Sequence, residues 1–341
     1  MKREIIAFET EAEWLAMRRQ DVTSTEAAAL FASSPYVTEF EMYHRKAGTL
    51  PGDSFEANER MVWGNRLEAA IAAGIAEDYG LIVEPFKVYM RIPDLRMGSS
   101  FDFKIVGIVE GFEGDESARD MFRAHGAGVM EVKNVDGLQF RRGWIEDGET
   151  IEAPVHIEFQ VQHQLEVADL NWALIAPLVG GNTPKVVIRE RDRDVGAAIM
   201  ERVTAFWTRV NTKNPPEPDY LNDAETIGQI YVENDGSSID LSDNATLIAR
   251  CIEYKQAAKD AKDADDRKKA ARAEILTIIK AAKSVTTQGF KLSAGTNKAV
   301  FKAYRKEAGE RLTITLTQTK PVDIEAEVAP FRNVRITEVA A

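Results

Sequence analysis

Gly98-Ser-Ser-Phe-Asp-Phe-Lys-Ile105 and Ala127-Gly-Val-Met-Glu-Val-Lys133 decide how this chain is read. Both are strand-like: Asp102 stands where the first strand begins, and Glu131-Val132-Lys133 ends the second, 29 residues later. Because side chains alternate along a strand, Glu131 and Lys133 point to the same face. Working outward, the spacing predicts strands at 81–90, 95–106 and 127–133. They follow a helix at 57–79, where Trp63, Leu67, Ile71 and Ile75 recur every four residues and Gly80 is the stop; Glu68 lies on this helix. Upstream, 9–34 reads as a helix containing Trp14, Arg18 and Arg19, with a second helical start at Thr23-Ser-Thr-Glu26, since small hydroxyl residues ahead of an apolar run are N-cap signals.

Between the last two strands, the acidic, glycine-rich Glu110–Arg119 segment is expected to be a loop or a short excursion, and mobile. A helix at about 155–169 carries Phe159, Gln160, Gln162, His163 and Gln164; strands at 171–179 and 184–190 and a helix at 193–211 follow. This alternation describes a mixed α/β domain, 1–212. The proline-rich stretch from Lys213 and the breaker cluster at 233–238 make 213–240 a linker. Residues 241–284, free of Gly and Pro, predict one long helix or a helical hairpin turning near Asp263–Asp266. Strand-like alternation returns at 290–292, 299–304 and 312–317, so 241–341 is expected to be a basic helical segment followed by a small β-rich module.

The 341 residues, 44% hydrophobic and 29% charged, suit one large or two modest domains and exclude disorder throughout. No apolar run is long enough to span a bilayer and the N-terminus lacks a secretory pattern, so a cytoplasmic protein with no membrane partner is expected. One cysteine, Cys251, read as a small buried helix residue, and four scattered histidines cannot build a disulfide framework, a Cys-rich zinc site or an iron–sulfur cluster. Any metal would be bound mainly through oxygen, which favours Mg²⁺, Mn²⁺ or Ca²⁺. No phosphate-binding Gly-x-x-x-x-Gly-Lys-Ser/Thr loop is present, which argues against a nucleotide-driven motor.

The net charge of −12 argues against a polyanionic partner, but the average conceals segregation. Residues 250–306 hold fifteen Lys or Arg against six Asp or Glu, a surplus of nine, which leaves −21 on the remainder. Alternating Lys and Asp there could simply keep an exposed helix soluble, but a surplus of nine points to contact with duplex DNA or a protein partner.

Hydrolysing a phosphodiester needs a cation to withdraw charge from the phosphate, an activated water and stabilisation of the leaving oxygen. Asp102, Glu131 and a backbone carbonyl near Val132 are the expected metal site, with Glu68 assisting and Lys133 beside the water. An acid, a spacer and a lysine also occur by chance on solvated strands, so the context matters. His163 reads as structural rather than as a general base. Trp14 and Trp63 read as packing residues, with stacking on a DNA end as the other possibility.

That context resembles the lambda-exonuclease, or YqaJ-type viral recombinase, branch of the PD-(D/E)xK nucleases over roughly residues 12–210. The matches are ordered: Trp14-Leu-Ala-Met-Arg18, Val22-Thr-Ser-Thr-Glu26, Trp63-Gly-Asn-Arg-Leu-Glu68, Glu131-Val-Lys133 and Phe159-Gln-Val-Gln-His-Gln-Leu165. Two features depart from the family pattern. Ser100-Phe-Asp-Phe103 replaces Ser-Pro-Asp-Gly, and the acidic loop at 107–126 is longer than in short members. The resemblance implies a restriction-endonuclease-like α/β core, a mixed sheet flanked by helices. It implies that Gln160 is an active-site residue and that Arg18 and Thr25 grip a 5′ phosphate. It further implies an Mg²⁺-dependent exonuclease, with one or two ions per site and Mn²⁺ as a substitute. Such an enzyme resects one strand of double-stranded DNA 5′ to 3′, works with a single-strand annealing protein, and assembles as a homo-oligomeric ring, by analogy a trimer. Two other classes fit the residues: an endonuclease on the same core, and a non-catalytic DNA-binding recombination protein.

Overall fold

The computed structural model describes residues 1–50, 59–148, 150–232, 235–288, 290–296, 304–305, 323–324 and 332–338. It divides into two units, Met1–Ile230 and Tyr231–Ala341. In the first, strand β1 (Glu4–Ile6) leads to helix α1 (Glu11–Gln20). A capping box opens α1: Thr10 Oγ1 accepts from the Glu13 amide, and the Glu13 carboxylate accepts from the Thr10 amide. The second helical start does not extend α1. Buried Asp21 ends the helix in extended geometry, β2 (Val22–Thr23) follows, and the alanine run forms a short 3₁₀ turn, Ala27–Phe31. Helices α2 (Glu39–Lys46) and α3 (Glu59–Tyr79) come next. Gly80 ends α3 at φ 61°, a conformation that favours glycine.

Each of the first two predicted strands breaks in the middle. The first gives β3 (Leu81–Pro85) and β4 (Tyr89–Ile92), the second β5 (Met97–Ser100) and β6 (Phe103–Ile108). Phe86 and Phe101 stack at the two breaks, 4.6 Å between centroids, while the Phe86 amide donates to the Asp102 carbonyl at 3.0 Å. The chain thus leaves one sheet and enters another at Asp102. The smaller sheet runs β1-β4-β5-β2. At Gly98, in β5, a β-carbon would collide with the Tyr89 hydroxyl, so glycine is required for close approach.

The larger sheet adds α4 (Ser117–His125), β7 (Gly128–Val135), α5 (Gly137–Gly143), the hairpin β8 (Ile145–Asp147) and β9 (Thr150–Glu152), α6 (Val155–Ala168), β10 (Trp172–Val179), β11 (Thr183–Pro184) and β12 (Val187–Glu190). Its order is β11-β10-β7-β6-β3, with β12 antiparallel to β10; β7 and β10 are parallel, and β6 is antiparallel to β7 with Phe103 opposite Met130. Alternation sends Val129 and Ile175 to one core, with α6 and α7 (Arg193–Asn211), and Met130, Val132 and Leu174 to another, with α3 and α4. A mixed sheet between helices is the architecture expected of a PD-(D/E)xK core.

Several local expectations are corrected. The acidic insertion contains α4, pinned by Arg119, which is 1% exposed and donates to the Phe112 and Gly114 carbonyls. Within 213–230, expected as part of the linker, α8 (Ala224–Ile230) forms, and buried Asp223 accepts from the Thr38 hydroxyl, fastening this stretch to α2. Trp63 is half exposed, with the Arg66 guanidinium over its ring.

In the second unit a single unbroken helix, α9 (Ala245–Ile279), replaces any hairpin; Asp263–Asp266 lies within it because no Gly or Pro interrupts the segment. Cys251 is exposed on α9 rather than buried, since the helix buries little in its own unit. Strands β13 (Ser284–Thr287) and β14 (Phe290–Thr296) follow, with β15 (Tyr304–Arg305), β16 (Asp323–Ile324) and β17 (Arg332–Glu338); β13, β14 and β17 form one sheet and β15 pairs with β16. The strand expected at 312–317, and that at 299–304 apart from Tyr304, lie outside the described residues. Among the described residues no helix is long and apolar enough to cross a membrane.

Candidate active site

Asp102 and Glu131 meet because β6 pairs with β7. The Val132 amide donates to Asp102 Oδ2 at 2.8 Å, which fixes the aspartate beside the middle of β7. Glu131, 3% exposed, faces α6 with Lys133 two residues on, as the period of two requires. Lys133 Nζ donates to Glu131 Oε1 at 2.6 Å and to Gln160 Oε1 at 3.1 Å; Gln160 Nε2 donates to Glu131 Oε1 at 2.6 Å. The glutamine therefore orients the ammonium with one end of its amide and the carboxylate with the other.

The electrostatics are uneven. Burial, followed by repulsion from Glu131 and Glu68, holds the Asp102 carboxyl well above the usual carboxylate range despite Lys133 nearby. Glu68, on α3, is also raised, first by burial and then by Glu131, with Lys87 and Lys133 opposing. Burial alone would depress the Lys133 ammonium, yet Glu131 and Asp102 outweigh it and raise its pKa, so it stays charged. Asp102, Glu131, Lys133, Glu68 and Gln160 thus form one electrostatic cluster.

An all-oxygen set of two adjoining carboxylates, a main-chain carbonyl at Val132 and Glu68 within electrostatic reach, carrying more negative charge than one lysine balances, fits a hard divalent cation. Among the described residues no three His, Cys, Asp or Glu stand close enough to hold an ion by themselves. Asp102 and Glu131 would therefore supply the protein carboxylates in direct contact, with Glu68 contributing charge at longer range.

Arg18 and Thr25 come together in a second cluster. An Arg18 guanidinium nitrogen donates to Thr25 Oγ1 at 2.9 Å and sits over the Trp14 ring, 4.6 Å from its centroid. Trp14 Nε1 donates to Ser100 Oγ at 2.7 Å, which ties this cluster to the turn carrying Asp102. Sequence reasoning missed two supports: Glu26, which accepts from the Thr23 amide and hydroxyl, and Lys46, which pairs with Glu26 at 3.0 Å and donates to the Arg18 and Asp21 carbonyls. His163 is wholly buried, its Nε2 3.2 Å from the Val22 carbonyl, and burial pushes its pKa down to about 4. It is a neutral packing residue and no base for the site. Gln164 was also missed, although amide side chains at 160 and 164, one turn apart and so on the same helix face, were the signal.

Comparison with known proteins adds a likeness over part of the chain. The sequence model of the YqaJ-like viral recombinase domain matches residues 13–171. This segment is similar to the YqaJ-like viral recombinase domain. It spans every site residue named above, from Trp14 to Gln164. The protein YqaJ of Bacillus subtilis (strain 168) is 24% identical over 249 residues, covering 71% of each chain. Among solved structures, the alkaline exonuclease LHK-Exo of Laribacter hongkongensis is similar at a TM-score of 0.43 and 18% identity, over 63% of this chain and 98% of that one. A phage-related exonuclease of Haemophilus somnus 129PT is similar at 0.35 and 13% identity, over 61% of this chain and 89% of that one.

Proposed function

We propose that the YqaJ-like domain is a DNA exonuclease dependent on a divalent cation, Mg²⁺ with Mn²⁺ as a substitute, that resects one strand of linear duplex DNA 5′ to 3′ and leaves 3′ single strand for annealing. The observation that carries this reading is the Lys133–Glu131–Gln160 contact set beside Asp102. An obligate ammonium there faces the incoming phosphate and stabilises the charge that builds on its oxygens. Gln160 holds that ammonium and Glu131 in fixed relation, so little reorganisation accompanies reaction. Asp102, Glu131 and the Val132 carbonyl would hold one or two cations, with Glu68 adding charge at longer range, and the bound metal would supply Lewis-acid polarisation of the phosphate. Arg18, planar and paired with Thr25, receives the terminal 5′ phosphate and sets the polarity of digestion.

In this reading residues 1–212 are the nuclease core, to which 213–230 is fastened through Asp223, and 241–341 are an appendage that touches DNA or a single-strand annealing protein. The enzyme works as a ring trimer in the cytoplasm of a bacterial or phage-infected cell. The test is digestion of linear duplexes with 5′-phosphate or 5′-hydroxyl ends, beside a closed circle, in Mg²⁺, Ca²⁺ or EDTA. The 5′-phosphorylated duplex disappears fastest, the circle survives, and Ca²⁺ supports little turnover because its looser coordination places the reactants poorly. A cut circle identifies an endonuclease; retention of DNA with no cleavage identifies a binding protein.

A further inference from the structure

We propose that Gln164 is a positioning residue that locks Glu131 to the turn carrying Asp102 and thereby sets the affinity of the site for a divalent cation; the inference rests on the cation-dependent reading above. Gln164 lies one turn after Gln160 on α6, is 1% exposed, and is flanked by the wholly buried Val161 and Leu165. Its Nε2 donates to Glu131 Oε2 at 2.7 Å and to the Ser100 carbonyl at 3.2 Å. Both Lys133 and Gln160 bind the other carboxylate oxygen, Oε1. Gln164 is therefore the donor that fixes the rotation of the Glu131 carboxylate about its terminal bond. Ser100 is two residues before Asp102, so the same nitrogen joins the two segments bearing the adjoining carboxylates.

The amide leaves its own Oε1 buried without a hydrogen-bond partner among the described residues. Turning it over would aim oxygen at two oxygen acceptors, so one orientation is enforced. Gln162, on the same helix and similarly buried, shows what a glutamine placed for stability does. Its Nε2 donates to the Glu190 carbonyl and its Oε1 accepts from the Asp192 amide, each at 2.8 Å, satisfying both ends. Gln164 instead tolerates an unsatisfied acceptor while serving Glu131, as partners that orient metal-binding carboxylates do.

The test is calorimetric titration of Mn²⁺ into the full-length, DNA-free protein, with melting in EDTA to verify folding. Gln164→Leu weakens the Mn²⁺ dissociation constant about 10- to 100-fold, the range for removing a partner that orients a metal-binding group. Gln162→Leu lowers the melting temperature but keeps the wild-type constant. Gln164→Asn, one methylene short of Glu131, shifts the constant in the same direction and carries the test if the leucine variant does not fold. Wild-type Mn²⁺ affinity in the Gln164 variants, or an equal weakening in Gln162→Leu, overturns the assignment. A wild-type chain that neither binds Mn²⁺ nor cleaves DNA overturns the reading of the site itself.

Discussion

Glu131 and Glu166 are equally buried, each 3% exposed, and helix α6 takes part in holding both, yet their charges are completed differently. Glu166 receives a two-point fork from Arg191, both contacts at 2.5 Å, and Arg191 also reaches Asp169, which Arg3 binds at 3.1 Å. Two acids face two arginines. At the other cluster Lys133 is the one cation paired with Glu131 among the described residues, while Asp102 and Glu68 raise the negative charge around it. The first arrangement is electrostatically finished within the chain and stabilises the fold. The second is not, and its surplus negative charge suits an external cation.

The largest expected effects run in opposite directions at the two clusters. Lys133→Ala lowers the single-turnover cleavage rate by about 10²- to 10³-fold, the scale for removing one charge-stabilising donor, while the fold persists. Comparable turnover in this variant would remove Lys133 from the chemistry. Arg191→Ala strands a buried carboxylate and costs about 3–5 kcal/mol of stability in urea denaturation. A loss similar to that of an exposed ion pair would show that the Glu166 cluster is not closed as described.

A smaller effect distinguishes the clusters by pH. A carboxyl whose pKa is raised on folding contributes stability that is full below the ordinary carboxylate range and lost as pH rises through the raised value. Asp102 is such a group, so without a cation its contribution to stability falls away as pH rises. Asp102→Asn should therefore melt higher than wild type in EDTA at neutral pH, and the difference should vanish on acidification. An unchanged or lower melting temperature at neutral pH contradicts an unbalanced site.

The smallest effect concerns the appendage. Helix α9 spans eight Lys or Arg and six Asp or Glu, whereas residues 280–306 hold seven Lys or Arg and no acid. Seven of the nine surplus positive charges therefore lie beyond the helix. Replacing Lys283 and Lys291 by Gln should reduce the slope of log affinity against log salt by about 2, near 0.9 for each phosphate no longer neutralised. Replacing Lys255 and Lys259 on α9 should leave it unchanged; the reverse pattern would move DNA binding to the helix.

Periodic and local features were legible in the sequence. The shared face of Glu131 and Lys133 follows from the strand period, and α7 occupies the predicted 193–211 because its apolar positions recur and Asp192 caps it. What could not be read depends on contacts between distant segments. The breaks at Phe86 and Phe101 arise from stacking across two strands, and β1 joins β4 through a pairing about 85 residues apart in the chain. Arg119 converts part of an acidic loop into a packed helix, and Asp223 finds Thr38 across the unit. At the site, the carboxylate and lysine positions were visible as a motif. The role of Gln164 was not, because its two acceptors lie on different strands.

The most direct measurement is the anomalous difference map of crystals soaked in Mn²⁺. The account predicts a peak within bonding distance of Asp102 and Glu131 carboxylate oxygens, about 2.0–2.3 Å for hard oxygen donors, that is lost in Asp102→Asn crystals. A peak elsewhere, or one that survives that substitution unchanged, would contradict it.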